Sequence, residues 1–343
     1  MTPHVHGGLL VVLVAFSLGV VAGNLALLAV VRSGRLRAAE ERLAPGELAR
    51  LVAFSLAAPL ISAVVVVAAT LWVPAAALAF PELDHCASAM NAPHVCFVHG
   101  TWAFDSPWEA LGVGVLAAAL GAALVVQLVR LARARRVAAT LLVDETAGPV
   151  TWTDDETPFA FAVGLLRPRV IVSAGLRRSL TGDQLEAALA HERAHARRGH
   201  ALVRSAARVV GCFTLPSLRR RFVDLLVLAQ ELEADEDAAA VVGSRTLVAE
   251  TLLRCVRLSR ASFPDGVSPA LTGSAFERRV ESLCRPPRRG TSTRALFVGS
   301  LVAVAVVVFA RAPLHRASES VAGVLFSSAV HVHHEPPFLD GAE

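Results

Sequence analysis

The chain has 343 residues, 54% of them apolar and only 18% charged, against about 25% charged in ordinary globular proteins. That deficit argues against a fully water-soluble fold and points to a membrane protein. All 33 basic side chains are Arg and Tyr is absent, so no chemical step can use a Lys amine or a Tyr hydroxyl. The net charge of +4 follows from Arg residues that flank apolar stretches. No aromatic-interleaved basic patch accompanies them, and no direct nucleic-acid binding is expected.

Four apolar stretches approach the length needed to cross about 30 Å of hydrocarbon. The first, about 8–31, carries Gly19 and Gly23 at a spacing suited to close helix contact, with Asn24 as its one strongly polar residue. Its Arg residues follow the apolar run, the wrong order for a cleaved signal sequence. The second covers about 48–73, includes Pro59 and ends near Trp72. The third, about 108–129, is rich in Gly and Ala, and the fourth, Ala295–Ala310, is short and bracketed by Arg294 and Arg311.

Arg32, Arg35, Arg37, Arg42 and Arg50 follow the first stretch; Arg130, Arg133, Arg135 and Arg136 follow the third; Arg285, Arg288, Arg289 and Arg294 precede the fourth. Between the second and third there is no Arg. The positive-inside rule therefore predicts a multi-pass cell-membrane protein. Residues 1–136 hold three transmembrane helices with a cytosolic loop at 32–47 and an external loop at 74–107. A cytosolic domain fills 137–293, a fourth span 294–311, and an external tail 312–343; both termini lie outside. Cys86 and Cys96 fall in the external loop, where a disulfide between them is allowed, while Cys212, Cys255 and Cys284 fall inside and are expected as free thiols. Nine of the twelve His fall on the outer side: His4, His6, His85, His94, His99, His315, His331, His333 and His334. Chance loop composition accounts for them, the sharper alternative being an external metal or pH sensor.

The cytosolic segment opens with strand-like runs at Thr140–Val143, Val150–Thr153, Phe159–Leu166 and Arg169–Ser173, separated by turn residues. After Gly175 the pattern turns helical, and Thr181 followed by Gln184 three residues on has the form of a capping box. The helix this opens contains His191-Glu192-Arg193-Ala194-His195. On a helix the two imidazoles lie one turn apart on one face and can reach a single Zn²⁺, one per chain. Glu192 is offset by about 100° and can hold a carboxylate over the metal's water as a general base without ligating. The plainer reading is an ordinary polar surface helix.

A catalytic zinc with two His needs a further protein ligand. The predicted helix Arg219–Val242 contains Glu231-Leu-Glu-Ala-Asp235. Glu231 and Asp235 share a face, so Glu231 can ligate while Asp235 orients a ligating imidazole through its other nitrogen. Glu233, Glu236 and Asp237 are expected to be solvated. The run from Ala201 to Leu218 is apolar enough to lie against a bilayer, although core packing explains it more simply.

These residues resemble the gluzincin membrane proteases, and within them the BlaR/MecR-type antirepressor peptidases. The stretch that carries the resemblance runs from Pro158 to about Val242, with Pro158-Phe159-Ala160-Phe161, Gly164 to Val172, Gly175-Leu176, the His191–His195 motif and Glu231-x-x-x-Asp235. The resemblance implies an α-helical membrane protein with four transmembrane helices and an inserted α+β gluzincin-type metalloprotease domain. In that family the zinc ligands fall on His191, His195 and Glu231, the catalytic base on Glu192, and Asp235 supports a ligand. Either Phe159–Ala162 or its neighbour Arg169–Ser173 would be the strand edge on which substrate lies.

The chain also departs from that pattern. Family members often carry Asp five residues after the second His, where this chain has His200. It reads as an exposed helix-end imidazole, with a group supporting a ligand or an oxyanion stabiliser as alternatives. With no Tyr, His200 and Arg245 are the candidates for stabilising the transition state. With no Lys, the Ser-x-x-Lys acylation of the antibiotic-sensing relatives is excluded. The expected function is a zinc endopeptidase acting on a cytosolic or membrane-proximal protein, in its regulatory version a transcriptional repressor, with the lipid bilayer as its other partner. The alternatives are a housekeeping quality-control protease of membrane proteins and a metal-binding receptor without proteolytic turnover; the intact Glu192 speaks against the last.

Overall fold

A computed structural model of the chain describes residues 8–80, 107–141, 150–262 and 273–288, together with 313, 316, 317, 320 and 321. The fourth apolar stretch, the Cys86–Cys96 pair and the nine outer-side His lie outside the described residues. The chain is mostly helical and divides into two compact units.

Among the described residues, three helices are long and apolar enough to cross a membrane. They lie within α1 (Gly8–Arg32), α3 (Pro45–Ala77) and α4 (Pro107–Leu141), and the short α2 (Arg35–Arg42) follows α1. In the first unit, residues 1–23, 60–117 and 294–343, α1 and α3 approach closely: a Cβ on Gly19 would lie 2.4 Å from the Ala63 backbone. Val11 and Val14 are buried there, with Leu18 and Leu71 against them. In the most apolar stretch of α4, Leu111, Val115, Leu124 and Val125 are all exposed. Exposed apolar side chains on a helix of this length suit a lipid solvent.

The second unit, residues 24–59 and 118–293, contains α2, a three-stranded sheet and six further helices among the described residues. The strands are β1 (Val150–Thr153), β2 (Ala160–Val163) and β3 (Arg169–Ser173). β3 is central, parallel to β1 and antiparallel to β2. Its Val170, Ile171 and Val172 are fully buried, as a middle strand of β-branched residues should be. The alternative expectation that β3 offers the free edge is thereby corrected, since both its edges are paired. Thr140 and Leu141 are not strand but the last turn of α4, an extension of the Ala- and Arg-rich segment before them.

The helices are α5 (Ala174–Ser179), α6 (Gly182–Arg197), α7 (His200–Val210), α8 (Pro216–Val242), α9 (Arg245–Ser262) and α10 (Gly273–Cys284). The capping box forms in full: Gln184 N–H donates to Thr181 Oγ1, and Thr181 N–H donates to Gln184 Oε1, both at 3.3 Å. α6 lies across α8, and β2 and α9 pack against it as well. α8 is buried along most of its length, its first half in a cluster with Leu48, Val52, Leu56 and Ala207. Ala207 and Leu218 thus serve core packing, whereas Leu202 and Leu215 are exposed. Asn24 has a structural use, since its Nδ2 donates to Phe213 O at 2.9 Å and its Oδ1 accepts from Leu215 N at 2.8 Å. Cys212, Cys255 and Cys284 are unpaired.

Candidate active site

The capped start of α6 fixes its rotation, so that His191 and His195 face α8 one turn apart. Their Nε2 atoms are 3.1 Å apart. Glu231, on α8, places Oε2 3.4 Å from His191 Nε2 and Oε1 3.5 Å from His195 Nε2. Ligand atoms at about 2.0–2.2 Å from a tetrahedral metal are separated from one another by about 3.3–3.6 Å. The two imidazole nitrogens and the nearest Glu231 oxygen to each come close to this spacing through different carboxylate oxygens. One donor atom from each residue lies within 4.8 Å of the others, and the donor set of two imidazoles and a carboxylate suits Zn²⁺.

Behind this trio the charges are arranged in a network. Asp235 Oδ1 is 2.9 Å from His191 Nδ1. Arg279, on α10 and only 3% exposed, donates to both Asp235 oxygens at 2.8 and 2.7 Å and lies 3.2 Å from Glu231 Oε2. Arg204, on α7, donates to Glu231 Oε1 at 2.9 Å and also to Gln230 Oε1. Burial opposes charge on His191, but the Asp235 and Glu231 carboxylates outweigh it and push its pKa up to about 10. Burial likewise works against the carboxylate of Glu231, yet His191 and His195 hold its pKa well below the usual range. Asp235 is held low against burial by Arg279. This field draws a cation toward the trio, whether a proton or a metal.

Glu192 projects from α6 toward the sheet, where its Oε2 accepts from Ala162 N–H at 2.9 Å. Burial pushes its pKa up to about 7, against the pull of His191, a value suited to a group that takes and returns a proton near neutrality. The trio and Glu192 line a cavity of about 480 Å³. On one side it is bordered by β2, on another by Val248, Leu252 and Cys255 of α9. The Cys255 thiol is pushed up to about 11 by burial and stays protonated.

The structure thus brings His191, Glu192, His195, Glu231 and Asp235 together. It corrects five expectations. His200 is not an exposed helix-end residue: it is 3% exposed, with one ring nitrogen facing His195 and the other Glu233. Both nitrogens being engaged, it has none to offer an oxyanion. Arg245 is not at the site, because its guanidinium donates to the Leu283 and Ser282 carbonyls and ties α9 to the end of α10. Glu233 is not solvated but lies 2.7 Å from Arg198. Asp237 accepts from Arg197 and Arg198, and Glu236 is half-buried near Arg245. Sequence reasoning missed Arg204 and Arg279. Arg204 is four residues after His200 on one helical face, a signal that was there to find; Arg279 had none.

Residues 132–283 match the sequence model of Peptidase family M48. The matched stretch runs from the last turns of α4 into α10 and includes every side chain of the site, which supports a metallopeptidase domain there. No curated protein and no solved structure matches the chain.

Proposed function

We propose that the chain is a membrane-anchored, zinc-dependent endopeptidase of the BlaR/MecR type, its catalytic domain on the cytosolic side and both termini outside. The observation that carries the reading is the convergence of His191, His195 and Glu231, one donor atom from each within 4.8 Å of the others, with Glu192 on the same cavity. The Arg distribution along the sequence supports the orientation.

Zinc held by these three residues would polarise the scissile carbonyl and acidify a water. Glu192 takes the proton of the attacking water and returns it to the leaving amine. The free edge of β2 pairs with the substrate backbone as an added strand, aligning it along the cavity. Arg204, partly exposed at the cavity wall, is the cation placed to meet charge on the carbonyl oxygen, a role no Tyr or Lys can fill here. The apolar α9 wall favours an apolar substrate side chain next to the cleaved bond.

In the regulatory version the substrate is a repressor protein presented at the membrane. The test expresses wild type and Glu192→Gln in membranes and compares protein fragments by N-terminal sequencing. Loss of a general base costs about 10²–10⁴ in rate, so fragments should be found only with wild type while zinc content stays equal. Identical fragments from both would sink the reading.

A further inference from the structure

His200 stands where the chain doubles back between α6 and α7. The left-handed turn at Gly199 (φ 63°) starts α7 with this side chain directed back at α6. His200 Nδ1 is 2.6 Å from His195 Nδ1, and its Nε2 is 3.2 Å from Glu233 Oε2. When two imidazoles meet through Nδ1, one donates and the other accepts. His195 turns its Nε2 toward Glu231 and His191, and as a ligand it must keep that atom bare. Its proton then sits on Nδ1 and is donated to His200, whose own proton sits on Nε2 and is donated to Glu233. This assignment leaves every ring nitrogen satisfied.

We propose that His200, fixed by Glu233, is the positioning residue for His195: it accepts the Nδ1 proton and so keeps the Nε2 lone pair of His195 aimed at the metal position. The inference rests on the metal-centre reading above. A carboxylate commonly fills this place behind a ligating imidazole; here an imidazole is interposed and the carboxylate stands one step back. Glu233 is held in turn by Arg198 at 2.7 Å. The first turn of α3 also closes on it, since a Cβ on Gly46 would lie 2.1 Å from Glu233 Oε1. Gly46 thus gives access to the relay without altering any of its members.

The experiment measures zinc affinity of the full-length protein in detergent by competition with a chromophoric chelator, with the absorption spectrum of the cobalt(II)-loaded protein as second readout. His200→Phe removes the acceptor and should weaken zinc binding about 10–100-fold. His200→Asn presents an acceptor at the place of Nδ1, and should restore most of the affinity and the wild-type cobalt spectrum. Gly46→Ala, which pushes the Glu233 carboxylate aside, should lower affinity in the same direction by a smaller factor. A folded His200→Phe that binds zinc as tightly as wild type overturns the relay. If that variant does not fold, unchanged affinity in Gly46→Ala overturns it instead. Failure of the wild type to take up zinc removes the metal centre and the relay together.

Discussion

His191 and His195 sit one turn apart on the same helix, yet they are held from behind by unlike means. His191 meets a carboxylate directly, and that carboxylate is gripped twice by Arg279 in full burial. His195 meets another imidazole, and the chain behind it runs through Glu233 to Arg198, which is 38% exposed. The first support is a closed buried ion network, whose rupture leaves a charge without a partner in a poor solvent. The second is a hydrogen-bonded chain that reaches the surface at Arg198, which also holds Asp237, and there water can replace a lost partner. The orientation of His191 is therefore bound to folding itself, while that of His195 can be altered with the fold intact.

Arg279→Leu tests the closed side most severely. It strands the buried Asp235 carboxylate and should cost about 3–5 kcal/mol, read as a large fall in the midpoint of thermal unfolding; a normal midpoint would show that the network contributes nothing to folding. Asp235→Asn is milder, because the amide oxygen still accepts from His191 Nδ1. It should lower zinc affinity about 10–100-fold, measured by chelator competition, and a loss much smaller than that of His200→Phe would reverse the ranking of the two supports. Arg245→Ala removes two hydrogen bonds to the end of α10 and should cost about 1–3 kcal/mol with turnover per folded molecule unchanged. Altered turnover would return Arg245 to the site. The smallest effect concerns pH. Asp237 is held below the usual carboxylate range by its hydrogen bonds from Arg198 and Arg197, against partial burial. A depressed folded value means that its contribution is present above the unfolded carboxylate pKa of about 4 and is lost as pH falls through the folded value. Asp237→Asn should therefore flatten the acid limb of a stability–pH curve below about pH 4 and leave its shape near neutrality unchanged.

What could be read from the sequence was what depends on near neighbours. The Thr181–Gln184 capping box, the bounds of Val150–Thr153 and Arg169–Ser173, and the one-turn spacing of the two His all rest on contacts within a few residues. The failures have two physical sources. Thr140–Val143 is a short apolar run, and periodicity does not separate strand from buried helix over so few residues; Thr140 and Leu141 simply prolong α4. Acidic clusters on helices usually face water, which is what the sequence alone predicts for Glu233 and Asp237. α8, however, is packed along most of its length, so the carboxylates found the cations Arg197 and Arg198 at the end of α6. Arg279 was invisible for a related reason: its partner Asp235 lies 44 positions away, and only the folded chain brings them together. The charge of a helix face is legible in one dimension, but its neighbours are not.

The bond between Ala162 N–H and Glu192 has an effect on timing. An amide hydrogen serves one strong acceptor at a time, so any strand that docks beside β2 through this amide must first evict the carboxylate. If Glu192 is the proton acceptor, it comes loose at the moment a polypeptide is laid in register, and otherwise it stays moored. The mooring also blunts an open sheet margin, denying neighbouring copies of the protein an adhesive border. One short tether would thus serve as both safety catch and trigger.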